Sequence, residues 1–394
     1  MNNSSFVGLN QSSLNNSVYV CSGATKEEFA YFEKASHYID GFGQAILCVI
    51  GIIGNCIAIP VLCSKKLDSV FYRLLVCLAL SDNVYLICAL LESFRSHLDV
   101  PWDIDTHTIL YVHAIYPIHN IVLCCSIYIT AAIAFERYMA VCKPVVYHNH
   151  MMRNGHSSWF RALIYYMIPV LLFCIIINIP KFMELEIEAF PNVEGVALKP
   201  TKLRLDANYI IYYHHYTRLL VTGLIPFSSL AFCNFNIYKS VKHRRKVGKN
   251  SNIGSENESE NRQALLLVLI IFLFLICNTP RIFLTLKETF SVKQFKEDYL
   301  NGCQSLPLWI LFTGSFSHIF LTFNSSMNFF LYCCMSSSFR DVLSSHCNIG
   351  SKLNTLIHFI SALLPRRRQE ETLAGTQQTQ NTHVDGEGIL MTAL

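Results

Sequence analysis

A carboxylate with aliphatic neighbours is the first feature of this chain that needs a chemical explanation. Asp82 closes Leu78-Ala79-Leu80-Ser81-Asp82, deep in an apolar run, where a lone charge must be hydrogen-bonded, paired or neutralised. Asn55, Ser126, Asn324, Ser325 and Asn328 lie in other apolar runs and are candidate partners, with a sodium ion or a proton as candidate occupant. Two readings stay open. One is a hydrogen-bond network that only fastens helices together; the other is a cation or proton site whose occupancy differs between two conformations. A second cluster, Glu136-Arg137-Tyr138, ends the third apolar run just before Met139-Ala140-Val141-Cys142-Lys143-Pro144.

The elements that must position these residues follow from composition. Of 394 residues, 52% are hydrophobic and 15% charged, with a mean hydropathy of +0.35, which points to a membrane protein rather than a soluble domain. The formal net charge is +4 and the basic residues form short clusters, so nucleic-acid binding has little support. Most of the 16 cysteines sit inside apolar runs, where they act as small hydrophobes. A bilayer needs about 20 apolar residues per helix. Seven runs qualify, at about residues 43–63, 71–93, 108–141, 162–180, 215–240, 263–286 and 306–334.

Basic residues near span ends favour the cytoplasm. Lys65, Lys66, Arg73, Lys143, Arg161, Lys239, Arg244, Arg245 and Arg262 fall on one side, whereas residues 1–42 set two lysines against Glu27, Glu28, Glu33 and Asp40. The N-terminus is therefore expected outside and the C-terminus in the cytoplasm. No basic stretch precedes an apolar core at the start, so the first span is expected to direct insertion. Sequons at Asn2, Asn3, Asn10 and Asn15 would then face the secretory lumen and carry glycans. The expected organisation is an extracellular tail over 1–42, a seven-span domain over 43–334 and a cytoplasmic tail over 335–394.

With Gly54-Asn55 in the first span, Leu-Ala-x-x-Asp ending at Asp82 in the second and Glu136-Arg137-Tyr138 ending the third, the chain resembles rhodopsin-like G-protein-coupled receptors over roughly residues 40–345. The implied fold is an all-α membrane protein, a seven-transmembrane helix bundle with a short amphipathic cytoplasmic helix after the seventh span. The resemblance implies that Glu136 holds Arg137 at rest and releases it to a heterotrimeric G protein when the sixth helix swings outward. Glu260, twenty residues before Pro280, stands where the family sometimes keeps a second acid; it is either a partner of Arg137 or part of a solvated run with Glu256 and Glu258. Pro226, and Pro280 in Cys277-Asn278-Thr279-Pro280, resemble the family's helix-bending prolines. Asn328-Phe329-Phe330-Leu331-Tyr332 matches its Asn-Pro-x-x-Tyr motif with Phe for Pro, which makes Asn328 and Tyr332 candidate activation switches. Phe339-Arg340 opens a surface helix with Val342 and Leu343 on its apolar face.

Several details resemble invertebrate receptors for FMRFamide-related neuropeptides: Asn324-Ser325-Ser326-Met327-Asn328-Phe329, Asn178-Ile179-Pro180-Lys181-Phe182-Met183-Glu184, and Asn234 eight residues after Pro226. The family's usual disulfide from the third helix to the second outer loop has no partners here, because its expected site is Val112 and no cysteine occurs between Lys181 and Tyr216. Cys21 and Cys303 remain as outer cysteines. They form either a bridge, suited to an oxidising compartment, or two free thiols.

Ligand class follows partly from what is missing. The position of the amine-binding acid is His119 and that of the retinal lysine is Thr322, so neither ligand fits the resemblance. A peptide fits better, because Glu92, Tyr116, His119, Glu184, Glu186 and Glu288 offer acids and aromatics at the outer ends. The guanidinium of an Arg-Phe-amide would seek a carboxylate and its ring an apolar pocket. A lipophilic or pheromone ligand is the alternative within the family. Outside it, the competitor is a transporter or channel, disfavoured because no inverted repeat or paired broken helices are visible. No catalysis on the ligand is expected. In the tail, Cys347 is a palmitoylation candidate, Ser and Thr residues would recruit receptor kinases and arrestin, and Thr392-Ala393-Leu394 resembles a PDZ ligand.

Overall fold

The computed structural model describes residues 23–96, 98, 104–152, 157–189, 196–206, 208–248, 268–287, 290–291 and 306–346. Six helices among them are long and apolar enough to cross a membrane: Lys26–Leu62, Val70–Ser96, Asp105–Cys142, Ser158–Met183, Tyr209–Lys242 and Val268–Lys287. The shortest has 20 residues, enough at ~1.5 Å per residue to cover a hydrocarbon core of about 30 Å. The seventh comes in two pieces, Leu308–Ser326 and Asn328–Met335. Its inner face is polar, with Ser315, Ser317, Thr322, Ser325 and Ser326 buried, and it packs on the first and second helices. A helix enclosed by its neighbours can carry polar groups that a lipid-facing one cannot.

The first helix starts earlier than hydropathy suggests. Thr25 caps it: the Thr25 hydroxyl accepts from the Glu28 N–H at 3.3 Å and the Glu28 carboxylate accepts from the Thr25 N–H at 2.8 Å, a reciprocal pair that satisfies two orphan donors. The helix then runs through a π-helical stretch, His37–Gly43, into Gln44–Leu62. The expected boundary between tail and span at residue 42 thus falls inside a continuous helix. Hydropathy misses this because Lys26–Ser36 is amphipathic and charged and lies beyond the apolar stretch.

Burial is inverted relative to a soluble protein. Ile46, Val49, Ile50, Ile53 and Ile57 form an exposed stripe on the first helix, and Leu171, Leu172, Ile175 and Ile176 another on the fourth, while Asn55, Asp82, Ser126 and Glu136 are buried. Apolar outside and polar inside is what lipid requires. Phe71, Leu74, Leu75, Leu78, Ile127, Ile133 and Phe274 form the packed centre, joining the second, third and sixth helices. Gly51 lets the first and seventh helices touch, because a Cβ there would come within 2.6 Å of Ser326 Cβ and 2.8 Å of Leu86 Cδ1.

Two ends of the bundle differ in construction. At the Arg137 end, Arg73 is 3% exposed and donates to the Leu62 carbonyl (3.1 Å), to Ser158 Oγ (3.3 Å) and to Asp68 Oδ1 (3.0 Å). It therefore ties the first loop to the second and fourth helices. The hydrogen bond from Ser158, then that from Arg73, hold the Asp68 carboxyl below its ordinary range. At the other end, β1 (Leu185–Ala189) and β2 (Val196–Pro200) form an antiparallel hairpin with Leu185 opposite Pro200 and Ala189 opposite Val196. The short helix Lys202–Leu205 follows, capped by Thr201.

Candidate functional site

Asp82 is fully buried and accepts three hydrogen bonds, from Ser126 Oγ (2.8 Å), Ser325 Oγ (3.0 Å) and Asn328 Nδ2 (2.7 Å). Asn55 Nδ2 donates to the Ser325 carbonyl at 3.2 Å, adding the first helix to a node that joins the second, third and seventh. Asn55, Asp82, Ser126 and Asn328 thus come together, but Asn324 does not join them. It is half-buried one position from Ser325, and the Asp82 carboxylate is satisfied by Ser126, Ser325 and Asn328 instead. A sodium ion suits this donor set: Asp82, the two rotatable serine hydroxyls and Asn55 Oδ1, which is buried with no partner among the described residues, are all hard oxygen ligands.

Below this node the seventh helix breaks at Met327, although Phe329 stands where the family motif has proline. Ser326 Oγ donates back to the Thr322 carbonyl just before the break, a bond often found where helices bend. Tyr332 is 1% exposed, with its ring 5.6 Å from that of Phe339 and its hydroxyl without a partner among the described residues. The helix Ser337–His346 then buries Phe339, Val342 and Leu343. Arg340 donates to the Cys333 and Cys334 carbonyls at 3.0 Å each, which caps the end of the seventh helix. In the sixth helix, Asn278 Nδ2 and Thr279 Oγ1 donate back to the Phe274 and Leu275 carbonyls at 2.9 and 2.7 Å. Both lie just before Pro280, which itself supplies no N–H.

At the end of the third helix, Arg137 grips Glu136 through two bonds, Nε to Oε2 at 2.6 Å and Nη2 to Oε1 at 3.0 Å. Tyr147, on the short helix Pro144–Met152, adds a third bond to Glu136 Oε1 at 2.7 Å. The guanidinium also lies 4.2 Å over the Phe71 ring, a cation–π contact. Tyr138 turns the other way, with its ring 5.7 Å from that of Phe232 on the fifth helix. The pair is closed in this state.

The hairpin end holds the largest departure from expectation. Glu184 is fully buried and accepts from Tyr116 on the third helix, from Lys181 Nζ at 2.8 Å and from Tyr209 OH at 2.7 Å. This carboxylate gathers the third helix, the exit of the fourth and the start of the fifth at the root of β1. Burial pushes its pKa up, but Lys181 and the two phenols bring it below the ordinary carboxylate value. Tyr116 and Glu184, two of the residues offered for ligand contact, satisfy each other. Glu186 is exposed on β1 and does not line the outer cavity. Glu92 holds Arg95 at 2.7 Å and Ser96 at 2.9 Å, but it also lines the outer cavity, as do Tyr116 and His119.

That cavity, of about 370 Å³, lies between the second, third, fifth, sixth and seventh helices at the hairpin end. Arg204, Arg218 and Arg281 line it, together with His119, His214 and His318. A second cavity of about 360 Å³ adjoins it at Glu92, Gly314 and His318 and reaches Asp40. Of the six residues expected to meet the ligand, Glu92, Tyr116 and His119 line this cavity, and among the described residues its charged lining is three guanidiniums and one carboxylate.

The family model described as 7 transmembrane receptor (rhodopsin family) matches residues 54–332, and this span contains the Asp82 node, the Arg137 pair and the cavity. The chain belongs to that family. It is therefore a multi-pass receptor of the plasma membrane, of a signalling family rather than an enzyme family. Among its relatives, the FMRFamide receptor of Drosophila melanogaster is 27% identical over 306 residues, covering 75% of this chain and 51% of the relative. The FMRFamide peptide receptor frpr-18 of Caenorhabditis elegans is 26% identical over 306 residues, covering 76% of this chain and 66% of the relative. The C-C chemokine receptor type 7 of Bos taurus is 21% identical over 210 residues, covering 53% of this chain and 52% of the relative. The receptor thus spans between half and two thirds of the length of the relatives it matches.

Sequence reasoning did not pick out Tyr147, Lys181, Tyr209, Arg204, Arg218, Arg281 or Gly51 as site residues. Lys181 and Glu184 carry a readable signal, opposite charges three residues apart; the others depend on inter-helix packing. Asn2, Asn3, Asn10, Asn15, Cys21, Glu260, Glu288, Cys303 and Cys347 lie outside the described residues.

Proposed function

We propose that this chain is a G-protein-coupled receptor for a short extracellular peptide of the amidated, FMRFamide-like class, with its N-terminus outside and its C-terminus in the cytoplasm. One observation carries the reading: a polar, aromatic-lined cavity at one end of the bundle stands over a closed Glu136–Arg137 pair at the other, with the Asp82 node between them. The names of two relatives, both FMRFamide receptors, support the peptide class. A ligand that binds better to the state with the sixth helix swung outward shifts the population towards it, by no more than its differential affinity. Arg137 then leaves Glu136 for the G protein; Asp82, Ser126, Ser325 and Asn55 are the residues that would hold a sodium ion, whose charge would stabilise the resting state. Receptor kinases and arrestin act on the tail.

The test is expression with promiscuous G-protein reporters and a panel of amidated peptides, run in sodium and in choline medium. A saturable response is expected that Arg137→Ala abolishes and that sodium weakens. Silence across the panel at confirmed surface expression sinks the peptide reading, and a response untouched by choline removes sodium from it.

The outer tail carries its own prediction. The Ala24 N–H donates to the Leu306 carbonyl at 3.1 Å, and each of these residues lies three positions after one of the cysteines Cys21 and Cys303. This supports a disulfide between them. Non-reducing peptide mapping of surface receptor is expected to find the linked pair, and N-glycosidase to release glycans from Asn2, Asn3, Asn10 or Asn15. Two alkylatable thiols, or a tail without glycans, would count against the bridge and the orientation respectively.

A further inference from the structure

The second piece of the seventh helix is held by a side chain. Asn328–Met335 is separated from Leu308–Ser326 at Met327, and it packs on the first helix and on the helix Ser337–His346. Phe329 makes the first of these contacts. A Cβ on Gly54 would stand 3.1 Å from Phe329 Cβ and 3.4 Å from its Cγ, closer than packed side chains normally come. The half-buried Phe329 therefore sits in a notch that exists because residue 54 carries no side chain. The next residue, Asn55, donates to the Ser325 carbonyl at 3.2 Å, so adjacent residues of the first helix grip both pieces of the seventh. On its other side the Phe329 ring lies 6.2 Å from that of Phe339 and edge-on to it, at 73°, a favourable arrangement. Phe339 is fully buried and its ring is 5.6 Å from that of Tyr332. This packing keeps the Tyr332 hydroxyl where it has no partner among the described residues, and a buried hydroxyl left unbonded favours any arrangement that satisfies it.

We propose that Phe329, seated against Gly54, is the anchor that holds Asn328–Met335 on the first helix in the resting receptor, and that activation requires its withdrawal. Phe329 is a positioning residue. It lines neither outer cavity and acts through its neighbours, Asn328, which donates to Asp82 at 2.7 Å, and Tyr332. Proline at this position would supply a bend but little side chain to enter the notch. The inference rests on the reading of the chain as a receptor that activates a G protein, and not on the class of its ligand.

The experiment reads ligand-free signalling of the full-length receptor at matched surface expression. Phe329→Ala is expected to raise it about threefold or more, because a contact of the resting state is lost. Gly54→Ala, which puts a methyl group in the notch, is expected to act in the same direction with the ring intact. The double variant is expected to signal no more than the stronger single one, since both remove one contact. Unchanged or lowered signalling in both single variants, or effects that multiply in the double, overturns the anchor. A locked form tests the withdrawal itself: the 3.1 Å between the two Cβ positions is close to the about 3.5–4.5 Å that a disulfide spans. Gly54→Cys with Phe329→Cys is expected to signal as Phe329→Ala does when reduced, which shows its fold to be sound, and to fall to the wild-type level or below when oxidised. Wild type and the single cysteine variants, taken through the same cycle, are expected not to change. Undiminished signalling with the bridge confirmed by peptide mapping overturns the proposal. Since no ligand is added, a silent peptide panel leaves this test intact, whereas silence of every variant at the cell surface sinks the G-protein reading and the anchor with it.

Discussion

Glu136→Gln is expected to raise signalling without ligand several-fold at matched surface expression. Glu136 is fully buried, and its carboxylate takes two bonds from Arg137 and one from Tyr147. An amide keeps the shape but removes the charge, and it can accept through only one oxygen. On the proposed mechanism the loss falls on the resting state alone, because opening separates the pair in any case. Each ~1.4 kcal/mol taken from the resting state multiplies the ratio of active to resting receptor about tenfold, and breaking one side of a buried pair can cost about 3–5 kcal/mol. Tyr147→Phe, which removes one hydrogen bond of about 1 kcal/mol, is expected to move basal signalling in the same direction by less. Burial, then the neighbouring Glu136, push the Tyr147 phenol well above its ordinary pKa, so it stays a donor at physiological pH. Unchanged or lowered basal signalling in Glu136→Gln would show that the pair does not restrain the receptor.

Glu184→Ala is expected to lower the melting temperature of the solubilised receptor more than any other single substitution at the hairpin end. It leaves the Lys181 ammonium, 5% exposed, and the Tyr116 and Tyr209 hydroxyls facing a hole. An uncompensated buried charge costs about 3–5 kcal/mol. The double variant Lys181→Met with Glu184→Gln, which removes the stranded charge, is expected to recover part of the loss. With its folded pKa below the ordinary carboxylate value, Glu184 contributes stability that is present above the unfolded pKa of about 4.3 and lost only as pH falls through the folded value. The melting temperature should therefore show no Glu184-dependent change between about pH 5 and 7. A melting curve identical to wild type in Glu184→Ala would dismiss the hub. Its importance follows from the absent disulfide, since no covalent bond from Val112 can hold the second loop to the third helix, and one carboxylate joins the same elements through hydrogen bonds.

The seven spans were legible from hydropathy because lipid imposes a simple rule, that each crossing helix needs a long apolar face. The Asp82 node was legible for a related reason. A polar side chain in an apolar run must find partners, and few polar residues lie at that depth to choose from. Asn324 and Ser325 are adjacent polar residues that composition does not rank, and only the tertiary contacts select Ser325 for Asp82. The start of the first helix at Lys26 was hidden because a capping box and a charged amphipathic turn look like a solvated tail to any hydropathy reading.

The outer site was the least legible. Sequence offers its acids to a ligand, yet Glu184 is taken by Lys181 and two tyrosines, and arginines from three elements converge on a cavity that no linear spacing announces. Sequence by itself determined that this chain crosses the membrane as a helical bundle, that its buried acid needs company, and that Glu136 and Arg137 adjoin; these are consequences of lipid, desolvation and chain connectivity. Only the tertiary structure decided which charges meet. Ion pairing in the outer half depends on distances between residues far apart in the chain, and a shift of one residue in any helix turns a ligand-facing group into a packing contact.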